Sequence, residues 1–161
     1  MDQIDLPITL RKTTNADLET LYQFQLDAEA NYLVAFTPTE NADREAYLKK
    51  HSKFLDDADK NTQTILLGDT IVGSVAKFER EGDNEITYWI DKKYWGKGIA
   101  TIALQKFLQI ETARPIFASA AFDNMGSRSV LEKCGFVKIG TDKGFANARQ
   151  VEVEEVIYKL D

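Results

Sequence analysis

The segment that most restricts what this chain can become runs from Trp89 to Thr101, where an apolar strand passes through Gly96-Lys97-Gly98 directly into a helical pattern. The first N–H groups of a helix have no partner inside it, and the macrodipole adds partial positive charge at the same end. A glycine-rich strand-to-helix turn is therefore suited to holding phosphate. Spacing narrows the ligand. A Walker A loop needs Lys followed at once by Ser or Thr after its last glycine, whereas Lys97 sits between two glycines. The dinucleotide fingerprint needs Gly or Ala three residues after its second glycine, where this chain has Thr101.

A second block, Asn124-Met125-Gly126-Ser127-Arg128-Ser129-Val130-Leu131-Glu132-Lys133-Cys134-Gly135-Phe136, follows after one helix and one strand. Together the two blocks resemble the GNAT N-acetyltransferase superfamily. Trp95-Gly96-Lys97-Gly98-Ile99-Ala100 is similar to its pyrophosphate motif Gln/Arg-x-x-Gly-x-Gly/Ala, with Trp95 in place of the usual first residue. That position contacts the cofactor mainly through its backbone in the family. The Asn-x-x-Ser then Leu-Glu-Lys-x-Gly-Phe pattern resembles the branch that includes ribosomal-protein N-terminal acetyltransferases.

The bulk properties are compatible with that resemblance and narrow the alternatives. The 161 residues, 43% of them hydrophobic, suit one domain over 1–161 with a real core. No run of about 18 apolar residues and no charged-then-apolar leader occurs, so neither a membrane span nor a secretory signal is expected and the expected location is cytoplasmic. One cysteine and one histidine exclude an internal disulfide and make a catalytic metal a poor expectation. A net charge of −6, with no stretch of Lys and Arg between aromatic residues, argues against nucleic acid as a partner.

Along the chain, alternation predicts a strand over Leu6 to Thr13, and Asn15 caps a helix starting near Ala16. Pro38 interrupts the chain before a second helix from about Ala42 to Leu55, which contains His51 as an exposed residue. Thr64–Leu67 and Ile71–Ala76 form a hairpin across Gly68-Asp69, and Gly82-Asp83 turns into the strand Glu85–Ile90. A helix from Ile99 to Thr112, a strand Ile116 to Phe122, a helix from Asn124, and strands Phe136 to Gly140 and Val151 to Leu160 complete the order. This order matches the α+β GNAT fold, a mixed and mostly antiparallel central sheet splayed around the cofactor with helices on both faces.

The resemblance implies transfer of an acetyl group from acetyl-CoA to a primary amine, either a protein N-terminus or a small molecule. A homodimer is compatible with the family. Cofactor contacts are expected from Gly96, Lys97, Gly98, Ile99, Ala100 and Thr101 through the phosphate loop, and from the backbones of Trp89 and Ile90. Asn124 caps its helix on general grounds and, by resemblance, also reaches the pantetheine arm. By the same resemblance Ser127 is a donor to the departing thiolate, with an ordinary first-turn serine, and protonation by water or another residue, as the alternative. Many members place a tyrosine acid four residues before the glycine of the Gly-Phe pair, but Leu131 stands there. For the base, alternation puts Glu85, Thr87 and Trp89 on one strand face, which makes Glu85 the first candidate. Glu152, Glu154 and Glu155 of the last strand are alternatives. Without an acid and a base, the same loop would make a non-catalytic acetyl-CoA sensor, the competing expectation.

Overall fold

A computed structural model describes residues 6–161 of the chain. Its centre is a seven-stranded sheet made of β1 (Ile8–Lys12), β2 (Asn61–Leu67), β3 (Thr70–Arg80), β4 (Asp83–Ile90), β5 (Ile116–Ala121), β6 (Val137–Ala146) and β7 (Val151–Leu160). The spatial order is β1-β2-β3-β4-β5-β7-β6. All neighbours are antiparallel except β4 and β5, which run parallel.

The hairpins arise where the sequence supplies turn residues. Leu67 pairs with Thr70 across Gly68-Asp69. Between β3 and β4, Glu81 (φ 52°) and Gly82 (φ 85°) both take positive φ, the backbone of the two-residue turn that suits strand twist. The turn thus falls one residue earlier than the sequence suggested, and Asp83 already belongs to β4.

Two helices, α4 (Ile99–Ile110) and α5 (Met125–Lys133), cover one face of the sheet. Their residues Ile99, Ala103, Leu104, Phe107 and Leu131 interlock with Val75, Ile86, Ile116, Val156 and Tyr158 in the main core. This burial is the chief favourable term in forming the fold. Tyr158 is fully buried, but its hydroxyl remains satisfied: it donates to Glu132 Oε2 at 2.8 Å and accepts from Arg128 Nε at 3.1 Å. Those partners lie four residues apart on one face of α5, so the pair fixes that helix to β7.

Three further helices, α1 (Leu18–Phe24), α2 (Ala28–Val34) and α3 (Arg44–Leu55), precede β2. The sequence reading gave two helices in this stretch and missed α2. Its signal was local: the Asp27 side chain accepts from Ala30 N–H at 2.8 Å, an N-cap followed by Ala-Glu-Ala. After α2, Ala35 and Phe36 join Ala121, Ala146 and Val153 in a second small core.

His51 also differs from expectation. It is half-buried between the rings of Tyr47 and Phe54, at 4.1 and 5.2 Å between centroids, and its Nε2 has no hydrogen-bond partner. Burial, and secondarily the neighbouring Lys50 charge, push its pKa down to about 4. A helix that is mostly polar and has no sharp apolar stripe gives little indication of which side a single His takes.

Candidate active site

The functional geometry begins where β4 and β5 part. They pair at only two rungs, Asn84 with Ile116 and Glu85 with Phe117, while β5 continues to pair with β7 as far as Ala121. Beyond Glu85 the two strands diverge. On the β4 side of this divergence lies a cleft of about 480 Å³, with no β5 residue in its lining. Its walls are Tyr88, Trp89 and Ile90 of β4, Asn124 to Ser127 at the start of α5, and Ala30, Leu33 and Val34 of α2.

At one end of the cleft lies the phosphate loop. Gly96 (φ 75°) and Gly98 (φ 79°) are both in the left-handed region, which side chains with a Cβ adopt only at a cost. Gly98 is the N-cap of α4, and no side chain caps the helix there. The ladder starts with Ile102 N–H donating to Gly98 O at 3.2 Å, so the amides of Ile99, Ala100 and Thr101 precede it. These residues, together with Gly96 and Gly98, line the cleft, and Lys133 from α5 adds a cation beside them. Lys97 lies on the loop but not among the lining residues.

Trp95 has a structural task that the sequence pattern did not reveal. Its Nε1–H donates to Ile90 O at 2.9 Å and ties the loop back to the end of β4. The Ile90 carbonyl is therefore already engaged within the chain.

The expected residues divide into two groups. Asn124 caps α5, its Oδ1 accepting from Ser127 N–H at 3.3 Å, and it lines the cleft. Ser127 lies on the first turn, and its Oγ is 2.7 Å from the hydroxyl of Tyr88. Leu131 is buried in the core, away from any hydroxyl role. Glu85 stands at the closed apex, outside the cleft lining, with Arg80 binding both carboxylate oxygens at 2.7 and 3.0 Å. Glu155 of β7, paired with Ala121 and Asp142, is half-buried. Burial first, then the Asp142 charge, raises its pKa.

Reading the sequence missed α2 as a cleft wall, along with Tyr88 and Lys133. Tyr88 was legible in principle, because alternation opposes it to Glu85, Thr87 and Trp89 and so turns it toward α5.

Another ion pair frames the cleft. Arg149, in the turn between β6 and β7, makes a bidentate contact to Asp123 with both distances 2.8 Å. Its Nε donates to Tyr32 O at 2.8 Å, and the guanidinium lies 4.2 Å from the Tyr32 ring centroid. One side chain thus joins α2, the β6–β7 turn and the entry to α5.

Comparison with known proteins matches residues 8–137 to the Acetyltransferase (GNAT) domain model. The chain belongs to the GNAT acetyltransferase family. YdaF of Bacillus subtilis, named for ribosomal N-acetyltransferase activity, is 36% identical over 81 residues, covering 47% of this chain and 44% of that protein. Less than half of that relative is thus matched. Among solved structures, the spermidine N-acetyltransferase of Vibrio cholerae in complex with CoA and spermine superposes with a TM-score of 0.77 at 20% identity, covering 94% of this chain and 95% of the other. RimL, a ribosomal L7/L12 α-N-protein acetyltransferase in complex with coenzyme A, gives a TM-score of 0.77 at 17% identity, over 96% and 94%. At such identities the structural matches establish the GNAT fold and leave the acceptor open.

Proposed function

We propose that this GNAT domain transfers the acetyl group of acetyl-CoA to a primary amine by direct attack within a ternary complex. The observation that carries the proposal is the parting of β4 and β5 directly above an uncapped, glycine-opened helix N-terminus. A diphosphate fits the amides of Ile99 to Thr101, with Lys133 supplying a cation nearby, and the slot beside Tyr88, Trp89 and Ile90 suits a narrow apolar arm. Acetyl-CoA supplies the activated thioester. The chain supplies the alignment, and alignment alone can account for several orders of magnitude in rate.

In this proposal Ser127 donates to the sulfur as it departs, and Asn124 holds the turn that carries Ser127. Glu85 takes the amine proton through water. Arg80 must then swing off the carboxylate, and the half-buried Glu155 on the same sheet face is the alternative acceptor. The acceptor is a protein N-terminus or a small amine. Both kinds occur among the similar proteins, in RimL and in the Vibrio cholerae spermidine enzyme. The Tyr88–Ser127 pair at the cleft favours an enzyme over a sensor that merely holds acetyl-CoA.

The test is release of free thiol from acetyl-CoA against a panel of polyamines, amino acids and N-terminal peptides, with the acetyl group located on nitrogen by mass spectrometry. Thiol release that depends on an amine supports the reading. Tight acetyl-CoA binding without release for any amine supports the sensor instead. Glu85→Gln distinguishes the two bases, because unchanged turnover in that variant shifts the role to Glu155.

A further inference from the structure

We propose that Tyr88 is a positioning residue that holds the Ser127 hydroxyl as a one-way hydrogen-bond donor to the leaving sulfur of the thioester. The proposal rests on the acetyltransferase reading and adds a residue that the sequence motifs do not mark.

A serine on the first turn of a helix has an easy alternative to catalysis. Its hydroxyl can turn back onto a main-chain carbonyl one turn earlier, and nothing in the side chain itself prevents this. At Ser127 a second hydroxyl intervenes. Tyr88 Oη is 2.7 Å from Ser127 Oγ and 3.2 Å from Ser127 O, and both residues line the cleft. A phenol has one proton. When it goes to Ser127 Oγ, one of the serine's two lone pairs is engaged and its own proton is free for a third group. The shorter of the two contacts is the one to Oγ, and a developing thiolate in the cleft favours this arrangement further, because two aligned O–H groups then point toward the negative charge.

Tyr88 can hold this role over a wide pH range. Burial among Ile86, Ile90 and the α4–α5 layer pushes its pKa up to about 12, so the phenol remains a donor where enzymes work. The same value shows what the pair does not do. A thiolate, whose ordinary pKa is about 8.5, cannot strip a proton from a hydroxyl backed by such a phenol. The pair therefore stabilises the sulfur by hydrogen bonding. In the step itself the amine nitrogen bonds to the thioester carbon, the C–S bond breaks, CoA leaves as thiolate with the bond's electron pair, and the proton on nitrogen goes to the base or to water.

The fixed parts are arranged to keep this geometry. Tyr88 lies on β4, which is clamped to β3 through eight rungs, and α5 is pinned to β7 by the contacts of Tyr158 with Arg128 and Glu132. Neither hydroxyl has to travel.

The experiment is a double-mutant cycle on kcat with acetyl-CoA and an accepted amine. Ser127→Ala is expected to lower kcat about 100-fold, as loss of one preorganised donor does, and Tyr88→Phe about 10-fold with KM for acetyl-CoA little changed. Combining them must cost no more than Ser127→Ala alone, because Tyr88 acts only through that oxygen. Multiplicative losses, or an unchanged kcat in Tyr88→Phe, overturn the proposal. Should Tyr88→Phe fail to fold, 3-fluorotyrosine introduced at position 88 keeps the shape and lowers the phenol pKa. The alkaline limb of kcat must then move to lower pH, and an unmoved limb overturns the proposal as well. A wild-type protein that releases no thiol with any amine overturns both this proposal and the reading it rests on, whereas an active wild type with an equally active Tyr88→Phe removes the proposal alone.

Discussion

Replacing Gly98 by alanine tests whether the phosphate loop is held in a shape made for its ligand. Gly98 has φ 79° and ψ 5°, and a Cβ built there meets no atom within 4 Å. No steric clash therefore enters, and the cost is the left-handed backbone alone, about 1–2 kcal/mol for an alanine. The loop can meet that cost by relaxing toward ordinary φ, which turns the first α4 amides away from a common centre. Binding CoA must then rewind it, and about 1.4 kcal/mol of rewinding weakens affinity about tenfold. Gly82→Ala supplies the control: φ 85°, again nothing within 4 Å of a Cβ, but at the tip of the β3–β4 hairpin, outside the cleft lining. Calorimetric titration with CoA and thermal unfolding of both variants read the outcome. Gly98→Ala should lose about tenfold in CoA affinity, and Gly82→Ala should lose stability with CoA binding unchanged. If Gly98→Ala binds CoA as the wild type does, the preset-loop reasoning is refuted, and an equal loss of affinity in both variants would assign the effect to general loosening.

Other perturbations test the frame around the cleft. Asp17 accepts from Arg11 at 2.7 and 2.8 Å, from Thr14 N–H at 2.9 Å and from Thr64 at 3.1 Å. The Arg11 bonds chiefly hold its pKa down to about 2, against burial, from an ordinary 3.8. A folded pKa below the unfolded one means that the stabilisation is complete above pH 4 and fades between about pH 4 and pH 2. Allowing for the half-exposed Arg11, about 1–2 kcal/mol should be lost over that window, and urea melts of Asp17→Asn should show a flatter acid limb. Arg149→Met removes charge-assisted bonds to Asp123 and the Tyr32 carbonyl, so unfolding free energy should fall by about 2 kcal/mol, with a raised KM for the amine as α2 loosens. Leu131→Ala leaves a hole under α5 and should destabilise the fold by about 2–5 kcal/mol in denaturant titrations, a loss partly offset when saturating CoA binds the native state.

How much of this was legible in the letters depended on whether a feature was local. Gly98 and Asn124 act on their own backbone neighbourhood, so the phosphate loop and the α5 cap could be read from spacing. The helix α2 was equally local, with Asp27 as its cap, but seven residues without a sharp apolar stripe give a weak periodic signal. Contacts across long separations left no trace in any window: Tyr88 to Ser127 spans 39 residues, and Arg149 to Tyr32 spans 117. Glu85 shows the limit of face arguments. Alternation set it beside Thr87 and Trp89, but nothing in the strand pattern indicated that Arg80 would occupy both of its oxygens or that the β4–β5 pairing would end at Glu85 itself.

The sheet opens where pairing between β4 and β5 ends, just beyond Glu85. Above the apex, β5 presents Ala118 and Ala120, and β4 presents Tyr88 and Ile90, on the side of α4 and α5. Side chains stand roughly perpendicular to a sheet, so Tyr88 reaches α5 from the face of β4 that the helix covers. The Tyr88 ring thus packs between β4 and α5 with its hydroxyl on Ser127, while α5 is fixed independently by Tyr158. The cleft therefore exists before any ligand arrives, and donors fixed in advance need no reorganisation when charge develops. This makes a structural demand on Tyr88→Phe. The ring alone should keep the packing between β4 and α5, so CoA affinity should survive the loss of the hydroxyl, whereas Tyr88→Ala, which removes a ring from the cleft wall, should lose CoA binding and turnover together.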